Sequence, residues 1–324
     1  MDEAEFATLV ERRRRELQVH CYRMVGSLRD AEDLVQETFL RAWRGRDAFE
    51  GRSSHRTWLY RIATNACLDF LSHSARRVEL LSRVERVDGW PAEVPWLEPY
   101  PDRLLDATAP SDAQPDALVV AKETIELAYL TAIQLLPANQ RAVLVLRDIL
   151  EWPASETAAA LGTSVASVNS ALQRAKATLQ RHRPADGTGL PQPAAPTQAE
   201  RELLDRYMAA HEHADADAVI ELLGADVRFT MPPQPTLYAG REAVAGFFRG
   251  TFGADALGEF RLVPTRANRQ PAAANYLRAW DDTVFRALSL DVLRFENGAL
   301  VEITTFEPQL FAAFGLPEIL GPDR

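Results

Sequence analysis

Residues 151–176 constrain the fold of this chain more than any other segment, because three spaced positions there meet different steric demands. Ala158 is small enough for two helices to cross. Gly162, four residues later, suits a turn that needs a positive φ, and Val168, six residues further on, can fill the space between the helices. Ser164 stands where it can cap the second helix. The segment predicts a helix-turn-helix, and a plain helical hairpin with a solvated polar face is the alternative.

The second helix of this motif carries polar side chains of the kind that reach base edges or phosphates in a DNA major groove. They are spread over the positions that the buried residues leave free. These candidate DNA-contacting residues are Ser164, Ser167, Asn169, Ser170, Gln173, Arg174 and Lys176.

A separate helical pattern occupies residues 1–77. Residues 30–43 place apolar side chains at helical spacing, and a second apolar stripe follows from Trp58 to Phe70. The loop between them, 49–56, contains two arginines, two serines and a histidine. We therefore expect a first helical module at 1–77 and a second helical module, containing the helix-turn-helix, at 123–184.

The two modules are separated by an acidic, proline-rich segment, residues 78–122. It is nearly devoid of helical periodicity apart from a short stretch at 79–87, and it predicts an extended acidic linker. The whole chain has a net charge of −10, but a local basic face still allows nucleic-acid binding. A second linker, 185–197, is rich in Gly, Pro and Ala.

Residues 198–324 change from helical to mixed patterning. Two helices are predicted at 198–213 and 217–223, and strand-like alternation recurs from residue 227 to residue 306. Asn297-Gly298 between the last two strands is a strong hairpin signal. This C-terminal domain is therefore predicted to be α+β with a curved antiparallel sheet.

Composition excludes several other classes. The two cysteines, Cys21 and Cys67, are too few for a disulfide framework or a cysteine-rich zinc site, and we expect both in the core. No apolar run approaches the roughly 18 residues of a membrane helix, and the N-terminus lacks the pattern of a secretory signal. We expect a cytoplasmic protein that binds no metal, no cofactor and no membrane.

Residues 34–43 and 57–69 resemble regions 2.2 to 2.4 of the extracytoplasmic-function (group 4) sigma factors of the sigma-70 family, and the helix-turn-helix resembles their region 4.2. Residues 198–324 resemble the SnoaL-like, or NTF2-like, fold, most clearly at 226–233 and 238–244. The resemblance implies a multidomain fold: two all-α sigma modules, the second with a helix-turn-helix, followed by an α+β NTF2-like cone.

The resemblance also implies a function, which is to bind core RNA polymerase and direct promoter-specific transcription initiation without catalysis by this chain. The clamp helices of the largest polymerase subunit would be contacted by Asp33, Gln36, Glu37 and Arg41. The opened −10 strand would be contacted by Arg52, Ser53, Ser54, His55, Arg56, Trp58, Arg61 and Asn65, although core packing is the competing role for Trp58. The −35 duplex would be contacted by the helix-turn-helix residues named above.

The resemblance leaves the C-terminal domain and the acidic linker with open roles. The linker either lies in the polymerase channels for nucleic acid or is a plain tether. The C-terminal domain is expected to modulate activity, with a small ligand in an apolar pocket as one means. The expected lining residues are His211, Phe229, Met231, Tyr238, Tyr276, Trp280, Asp282 and Phe295.

Two departures from related chains and two alternatives accompany this prediction. Residues 266–271 stand where related chains often carry an Asp-Gly-Gly-Gly-Arg loop, and the recognition helix has Val168-Asn-Ser-Ala171 where two cations are common. The alternatives are a ligand-responsive helix-turn-helix repressor and a SnoaL-like enzyme with accessory helices, in which Asp226 or Asp282 would act as base.

Overall fold

The structure, a computed structural model, describes residues 2–49, 51, 53–78, 97–106, 130, 133–181, 196–232, 237–253 and 256–321. The chain divides into two compact units. Unit 1 comprises residues 1–98 and 108–192, and unit 2 comprises residues 99–107 and 193–324. The predicted helices at 79–87 and over most of 123–136 lie outside the described residues.

The described helices are, in chain order, α1 (Glu3–Val25), α2 (Leu28–Gly45), α3 (His55–Val78), α4 (Asp102–Asp106), α5 (Ala138–Leu144), α6 (Ala154–Ala160), α7 (Val165–Arg181), α8 (Gln198–Glu212), α9 (Ala216–Leu222), α10 (Arg241–Thr251) and α11 (Phe311–Phe314). The described strands are β1 (Leu223–Thr230), β2 (Leu237–Ala239), β3 (Gly258–Ala267), β4 (Gln270–Ala279), β5 (Phe285–Glu296), β6 (Ala299–Phe306) and β7 (Ile319–Leu320).

In unit 1, helices α1, α2 and α3 pack against one another. Asp2 and Glu5 form a capping box that starts α1, and Gly26 ends it at a φ of 77°. Ser27 accepts a hydrogen bond from the Asp30 amide and so caps α2. The apolar stripe predicted on α2 is largely buried, which confirms the helical periodicity of this segment.

The C-terminal carbonyls of α1 receive their hydrogen bonds from the second helical module. Gln134 Nε2 donates to the Arg23 carbonyl at 3.1 Å, and the Arg141 guanidinium donates to the Met24 carbonyl. These carbonyls have no partner within α1 itself. Glycine suits the positive φ at Gly26, and a Cβ at this position would lie only 3.2 Å from the Gln134 side chain.

The N-terminal amides of α2 receive their partner from the acidic linker. One carboxylate oxygen of Glu98 accepts from the backbone amides of Leu28 at 2.7 Å and Arg29 at 3.2 Å. The Glu98 amide donates to the Gly26 carbonyl at 2.8 Å, and the Tyr22 hydroxyl donates to the Glu98 carbonyl at 2.6 Å. A carboxylate at a helix N-terminus is also favoured by the helix dipole.

The predicted helix-turn-helix is present as α6 and α7. Ala158 and Val168 are buried together with Val143 and Ala171, and Gly162 has a φ of 62° in the turn. The three spaced positions thus have the roles that the sequence predicted. Before the motif, α5 is followed by a π-helical turn, Val145–Ile149.

Unit 2 is an α+β domain built on a seven-stranded sheet of order β2-β1-β6-β5-β4-β3, with β7 paired to β5. Helices α8, α9 and α10 cover one face of the sheet, where Leu204, Val219 and Phe248 join the core cluster. Asn297 and Gly298 both have positive φ in the β5–β6 turn, which confirms the predicted hairpin.

The sheet differs from prediction in one pairing. The strand β1 pairs in parallel with β6, whereas the sequence predicted an antiparallel sheet. The connection from β1 to β6 runs through four other strands and α10, and so is long enough for parallel pairing. Strands β2 and β7 were not predicted, because three- and two-residue strands carry too little alternation to detect.

Part of the acidic linker folds as an element of unit 2. Tyr100 and Asn268 exchange hydrogen bonds: the Tyr100 amide donates to Asn268 Oδ1 at 2.7 Å, and the Asn268 amide donates to the Tyr100 carbonyl at 2.9 Å. The Arg269 amide donates to Asp102 Oδ1 at 2.8 Å, and Arg103 Nε donates to the Ala313 carbonyl at 2.8 Å. Residues 99–106 are therefore a docked segment, and the plain tether is wrong for this part of the linker.

Candidate polymerase and DNA interfaces

The α2 surface opposite its buried stripe carries the predicted polymerase-contacting residues. Asp33 and Gln36 are exposed, and Glu37 and Arg41 are half-buried. Arg41 bridges two carboxylates, with Nε 2.7 Å from Glu37 and NH1 2.9 Å from Asp69. The hydrogen bonds that Arg41 donates to these carboxylates raise its pKa. The structure thus brings the four predicted residues onto one face.

Leu40 is a functional candidate that the sequence reasoning missed. Its side chain is 51% exposed, unlike the buried leucine at position 34 on the same helix. It follows Gln36 by four residues and Asp33 by seven, so all three share one helix face. That spacing, together with a large apolar residue outside the buried stripe, was the signal available in the sequence.

The loop before α3 presents three of its predicted DNA-contacting residues to solvent. Ser53, Ser54 and His55 are exposed, whereas Arg52 lies outside the described residues. Ser54 Oγ also accepts from the Thr57 amide at 3.0 Å and so caps α3. The predicted contact of Ser54 therefore competes with a capping role.

The Arg56 side chain makes its contacts within the first helical module. Its Nε lies 3.2 Å from Glu16 Oε2, and its guanidinium lies over the Tyr60 ring at 5.1 Å. The Glu16 carboxylate is also paired with Arg13. An arginine held in this way positions the start of α3 on α1, and it is less free to meet a nucleic-acid strand than the sequence suggested.

Trp58 is 7% exposed and packs against the Phe49 ring at 4.9 Å between centroids. This favours the core role that the sequence left open for it. Arg61 and Asn65 are exposed and four residues apart, so they share one face of α3. Phe49 also stacks on the His55 ring at 4.7 Å, which fixes the loop against the helix start.

The predicted DNA-contacting residues of α7 are all exposed, on the side opposite the buried Val168 and Ala175. Ser164 Oγ accepts from the Ser167 amide at 3.1 Å and lies 2.9 Å from Ser167 Oγ, so both hydroxyls belong to the helix cap. Lys176 Nζ lies 2.8 Å from Asp148 Oδ2. The helix therefore presents a mostly neutral face.

In unit 2, five of the eight predicted pocket residues share one aromatic cluster. Phe229 and Phe295 belong to the buried core, and Met231 and Tyr238 pack against it. The remaining member, His211, lies edge-on to Phe248 at 5.3 Å, and burial lowers its pKa. The rings of Tyr238, Phe247 and Phe248 contact the Phe229 ring and so fill the interior around it rather than line an open space there.

The structure places Tyr276, Trp280 and Asp282 elsewhere, which corrects the predicted pocket. The Tyr276 ring packs on Phe311, because strand alternation turns it to the sheet face opposite Asn275. Trp280 is 69% exposed near the β4–β5 turn. In that turn Asp282 accepts from Arg286 Nε at 2.7 Å, which lowers its pKa. A carboxylate held in an exposed ion pair is a poor general base, and Asp226 is exposed as well.

The sequence reasoning missed a buried polar cluster around Asp291. Tyr207 and Asn275 donate to Asp291 Oδ2 at 2.9 and 2.7 Å, and Thr305 donates to Oδ1 at 2.6 Å. Burial, followed by the Asp291 carboxylate, raises the pKa of Tyr207 well above its usual value. Each of these residues sits on a separate element, so no local motif could have revealed them.

An open groove of about 540 Å³ runs along α10 beside Tyr238. Its lining is apolar or small, with Phe247 and Phe260 as the largest side chains. Among the expected pocket residues, Tyr238 alone lines it. The small ligand expected from the sequence stays a prediction, and this groove is the described opening nearest to that expectation.

Comparison with known proteins matches three separate segments of the chain to family models. Family models match at residues 9–77 (sigma-70 region 2), 126–179 (sigma-70, region 4) and 204–303 (SnoaL-like domain). The ECF RNA polymerase sigma factor SigG of Mycobacterium tuberculosis is 44% identical over 98% of this chain and 85% of its own length. The chain belongs to the extracytoplasmic-function sigma factors of the sigma-70 family.

Other relatives support the same assignment. SigJ of Mycobacterium tuberculosis is 34% identical over 71% of this chain and 64% of its own. The crystal structure of SigJ matches 98% of this chain and 100% of its own with a TM-score of 0.60 and 24% identity, which shows a shared fold. As a sigma factor, the chain binds RNA polymerase and promoter DNA and directs promoter-specific transcription initiation. None of the helices within the described residues is long and apolar enough to cross a membrane.

Proposed function

We propose that this sigma factor docks on the clamp helices of the largest polymerase subunit through the exposed face of α2. Asp33, Gln36 and Glu37 supply acidic and amide groups suited to a basic partner surface. Leu40 adds a large apolar side chain among them, as expected at the centre of an interface. The observation that supports this proposal is the exposure of these polar residues on a helix whose other face is fully packed.

The clamp contact is tested with purified core polymerase and the full chain. Asp33→Ala combined with Gln36→Ala is expected to weaken core binding at least tenfold, and Leu40→Ala is expected to weaken it as well. Glu11→Ala, an exposed carboxylate on α1 outside the proposed face, is the matched control. Unchanged binding by the double variant, with the control also unchanged, would contradict the proposed face.

We further propose that the two DNA contacts are divided between the modules. Residues 53–55, with Arg61 and Asn65, contact the opened −10 strand, because exposed polar and cationic groups next to a helix start suit a single strand. The exposed face of α7 contacts the −35 duplex in the major groove. A repressor has no need of the first of these contacts and would bind promoter DNA without polymerase.

Transcription assays with and without core polymerase test this division. Promoter-specific transcripts are expected only when core polymerase and the chain are both present. Arg61→Ala with Asn65→Ala is expected to reduce open-complex formation, detected by permanganate reactivity of unpaired thymines, while leaving duplex binding at −35 intact. Specific duplex binding by the chain alone, with no response to core polymerase, would favour the repressor.

We also propose that the C-terminal domain modulates transcription initiation by binding residues 99–106 of the acidic linker. The supporting observation is the paired hydrogen bonding between Tyr100 and Asn268, backed by Asp102, which is 1% exposed. Residues 99–106 cannot enter a polymerase channel while they remain docked on the β3–β4 turn. The domain would thereby control how much of the linker can enter the polymerase channel.

Asn268→Gly tests this hold, because glycine keeps the positive φ of 54° and removes only the side-chain acceptor. Transcript yield from the reconstituted polymerase is expected to change several-fold with core binding preserved. Asn297→Gly, at a positive φ in the β5–β6 turn, is the matched control. Equal yields from Asn268→Gly and the parent chain would remove this regulatory role.

A further inference from the structure

Within the described residues, four polar side chains on the exposed face of α7 take no part in holding the fold together. Asn169, Ser170, Gln173 and Arg174 are exposed, and within the described residues none of them takes part in a cap or an ion pair. By contrast, the helix cap uses the hydroxyls of Ser164 and Ser167, and an ion pair with Asp148 uses Lys176. The free groups are therefore two amides, one hydroxyl and one guanidinium.

This chemistry is selective among bases. A side-chain amide pairs with the N6 and N7 atoms of adenine, whereas guanine is read by an arginine or lysine. Building on the proposed −35 contact, we propose that α7 reads A·T base pairs, with Asn169 and Gln173 each bonding an adenine edge.

The spacing of the two amides fits this assignment. Positions four apart on a helix lie on one face and about 6 Å apart along its axis. Stacked bases are about 3.4 Å apart. Asn169 and Gln173 therefore reach base pairs that are one or two steps apart, and both remain on one side of the helix.

The start of α7 adds apolar contacts of the matching kind. Val165 is 43% exposed although it is β-branched and apolar, and Ala166 beside it is exposed. The N-terminal residues of a recognition helix are those that reach base edges. A methyl-bearing side chain there suits the C5-methyl group of thymine, which cytosine lacks.

The charge of the face separates base reading from backbone binding. Among the described residues of α7 before Arg181, the cations are Arg174 and Lys176, and Lys176 is paired with Asp148. Phosphate binding requires cations and loses affinity steeply with salt. A face with so few cations therefore depends on base contacts for its affinity for DNA. We expect that affinity to fall only slightly as the salt concentration rises.

The test uses the full chain with core polymerase and a promoter library that varies only the −35 segment. Selected promoters are expected to carry adenines at two positions no more than two base pairs apart. Asn169→Ala and Gln173→Ala are each expected to lower the preference at one of these positions by about 5- to 150-fold, the equivalent of 1–3 kcal/mol. Asn169→Arg is expected to shift the preferred base at its position to guanine.

Gln180→Ala is the matched control. It removes the same chemical group from an exposed position about 10 Å further along α7 than Gln173, and it should leave the selected bases unchanged. Absence of adenine from any two positions no more than two base pairs apart in the promoters selected by the parent chain, or an unchanged preference in both alanine variants, would overturn the base assignment. In either case transcription itself persists, whereas failure of the sigma function gives no specific transcripts from any library member.

Discussion

Each unit buries a charged side chain, a cation in unit 1 and an anion in unit 2, and in both units hydrogen bonds with neutral groups compensate for the burial. In unit 1, Arg141 is 4% exposed and donates to the carbonyls of Met24, Gln134 and Leu136 and to the Gln134 side chain. In unit 2, Asp291 is also 4% exposed and accepts from three neutral donors. Within the described part of the chain, neither charge has an oppositely charged partner.

The difference lies in where the partners come from. Those of Asp291 are side chains of α8, β4 and β6, all in one domain. Those of Arg141 are three backbone carbonyls and the Gln134 side chain, and one of the carbonyls belongs to the C-terminal end of α1 in the first helical module. The carbonyls at a helix C-terminus attract a cation, so Arg141 joins the two helical modules through a helix end. A buried charge thus stabilises a fold in unit 2 and an association of modules in unit 1.

The largest effect is expected from Arg141→Ala. The change leaves several carbonyls buried and unpaired, so the free energy of unfolding of unit 1 should fall by about 3–5 kcal/mol. Burial lowers the pKa of this guanidinium to about 10, so it remains charged at neutral pH. Urea titration followed by hydrogen exchange of α1 and α5 peptides measures the loss.

Arg44→Ala, an exposed arginine on α2, is the control and should change stability by less than about 0.5 kcal/mol. The proposed link between the modules also predicts earlier exchange at the end of α1 than at its start in Arg141→Ala. Uniform loss of protection across unit 2 instead would contradict the assignment of Arg141 to unit 1.

A smaller effect is expected from Asp291→Asn. The amide nitrogen must replace one carboxylate oxygen, so either Thr305 or the pair Tyr207 and Asn275 faces a donor instead of an acceptor. Unit 2 should lose about 2–3 kcal/mol of stability, since hydrogen bonds to a charged group are among the stronger ones. Exchange of α8 and β5 peptides reports the loss. Asp226→Asn, at an exposed position, is the matched control.

How far the sequence predicted the structure depends on whether the signal was local. The helix-turn-helix followed from Ala158, Gly162 and Val168, whose demands act within one segment. The Asn297-Gly298 hairpin was equally local. Arg141 and Asp291 were not found, because each depends on a distant partner: Met24, 117 residues from Arg141, and Tyr207, 84 residues from Asp291.

The candidate polymerase- and DNA-contacting residues also divide into those with a local sequence signal and those that depend on distant contacts. Exposure of Asp33, Gln36 and the α7 residues followed from helical periodicity alone. Tyr276 and Asp282 were misplaced because strand alternation gives a face but not what covers it, and the C-terminal segment covers the Tyr276 face. The commitment of Arg56 to Glu16 depends on a contact between α1 and α3 that no pattern in either helix encodes.

His20 differs from the buried charges Arg141 and Asp291, because this buried side chain is neutral. Desolvation lowers its pKa to about 3, and Nε2 bonds Thr64 Oγ1 at 2.9 Å. The unfolded state, with a histidine pKa near 6.5, binds more protons than the folded state between these values. Stability contributed by neutral His20 is therefore lost as pH falls, by about 2 kcal/mol from pH 7.5 to pH 5.0.

Urea unfolding of the parent chain and of His20→Gln at both pH values measures this loss. The variant should be less stable at pH 7.5 but should show a pH dependence smaller by that amount. His213→Gln, an exposed histidine, should retain the parent slope. Equal slopes in the parent and His20→Gln would mean that other groups cause the acid sensitivity of unit 1.

The smallest effect is expected from Glu98→Gln, which tests whether the linker contact in unit 1 depends on charge. Glutamine keeps an acceptor for the Leu28 amide and removes the negative charge at the α2 N-terminus. Since capping by a charged group gains from the helix dipole, the loss should be about 0.3–1 kcal/mol and should shrink at high salt. Glu98→Ala, which removes the acceptor as well, should cost more and retain its cost in salt. No loss in Glu98→Gln together with a salt-independent loss in Glu98→Ala would show that the hydrogen bond alone, without the negative charge at the α2 N-terminus, fixes the linker.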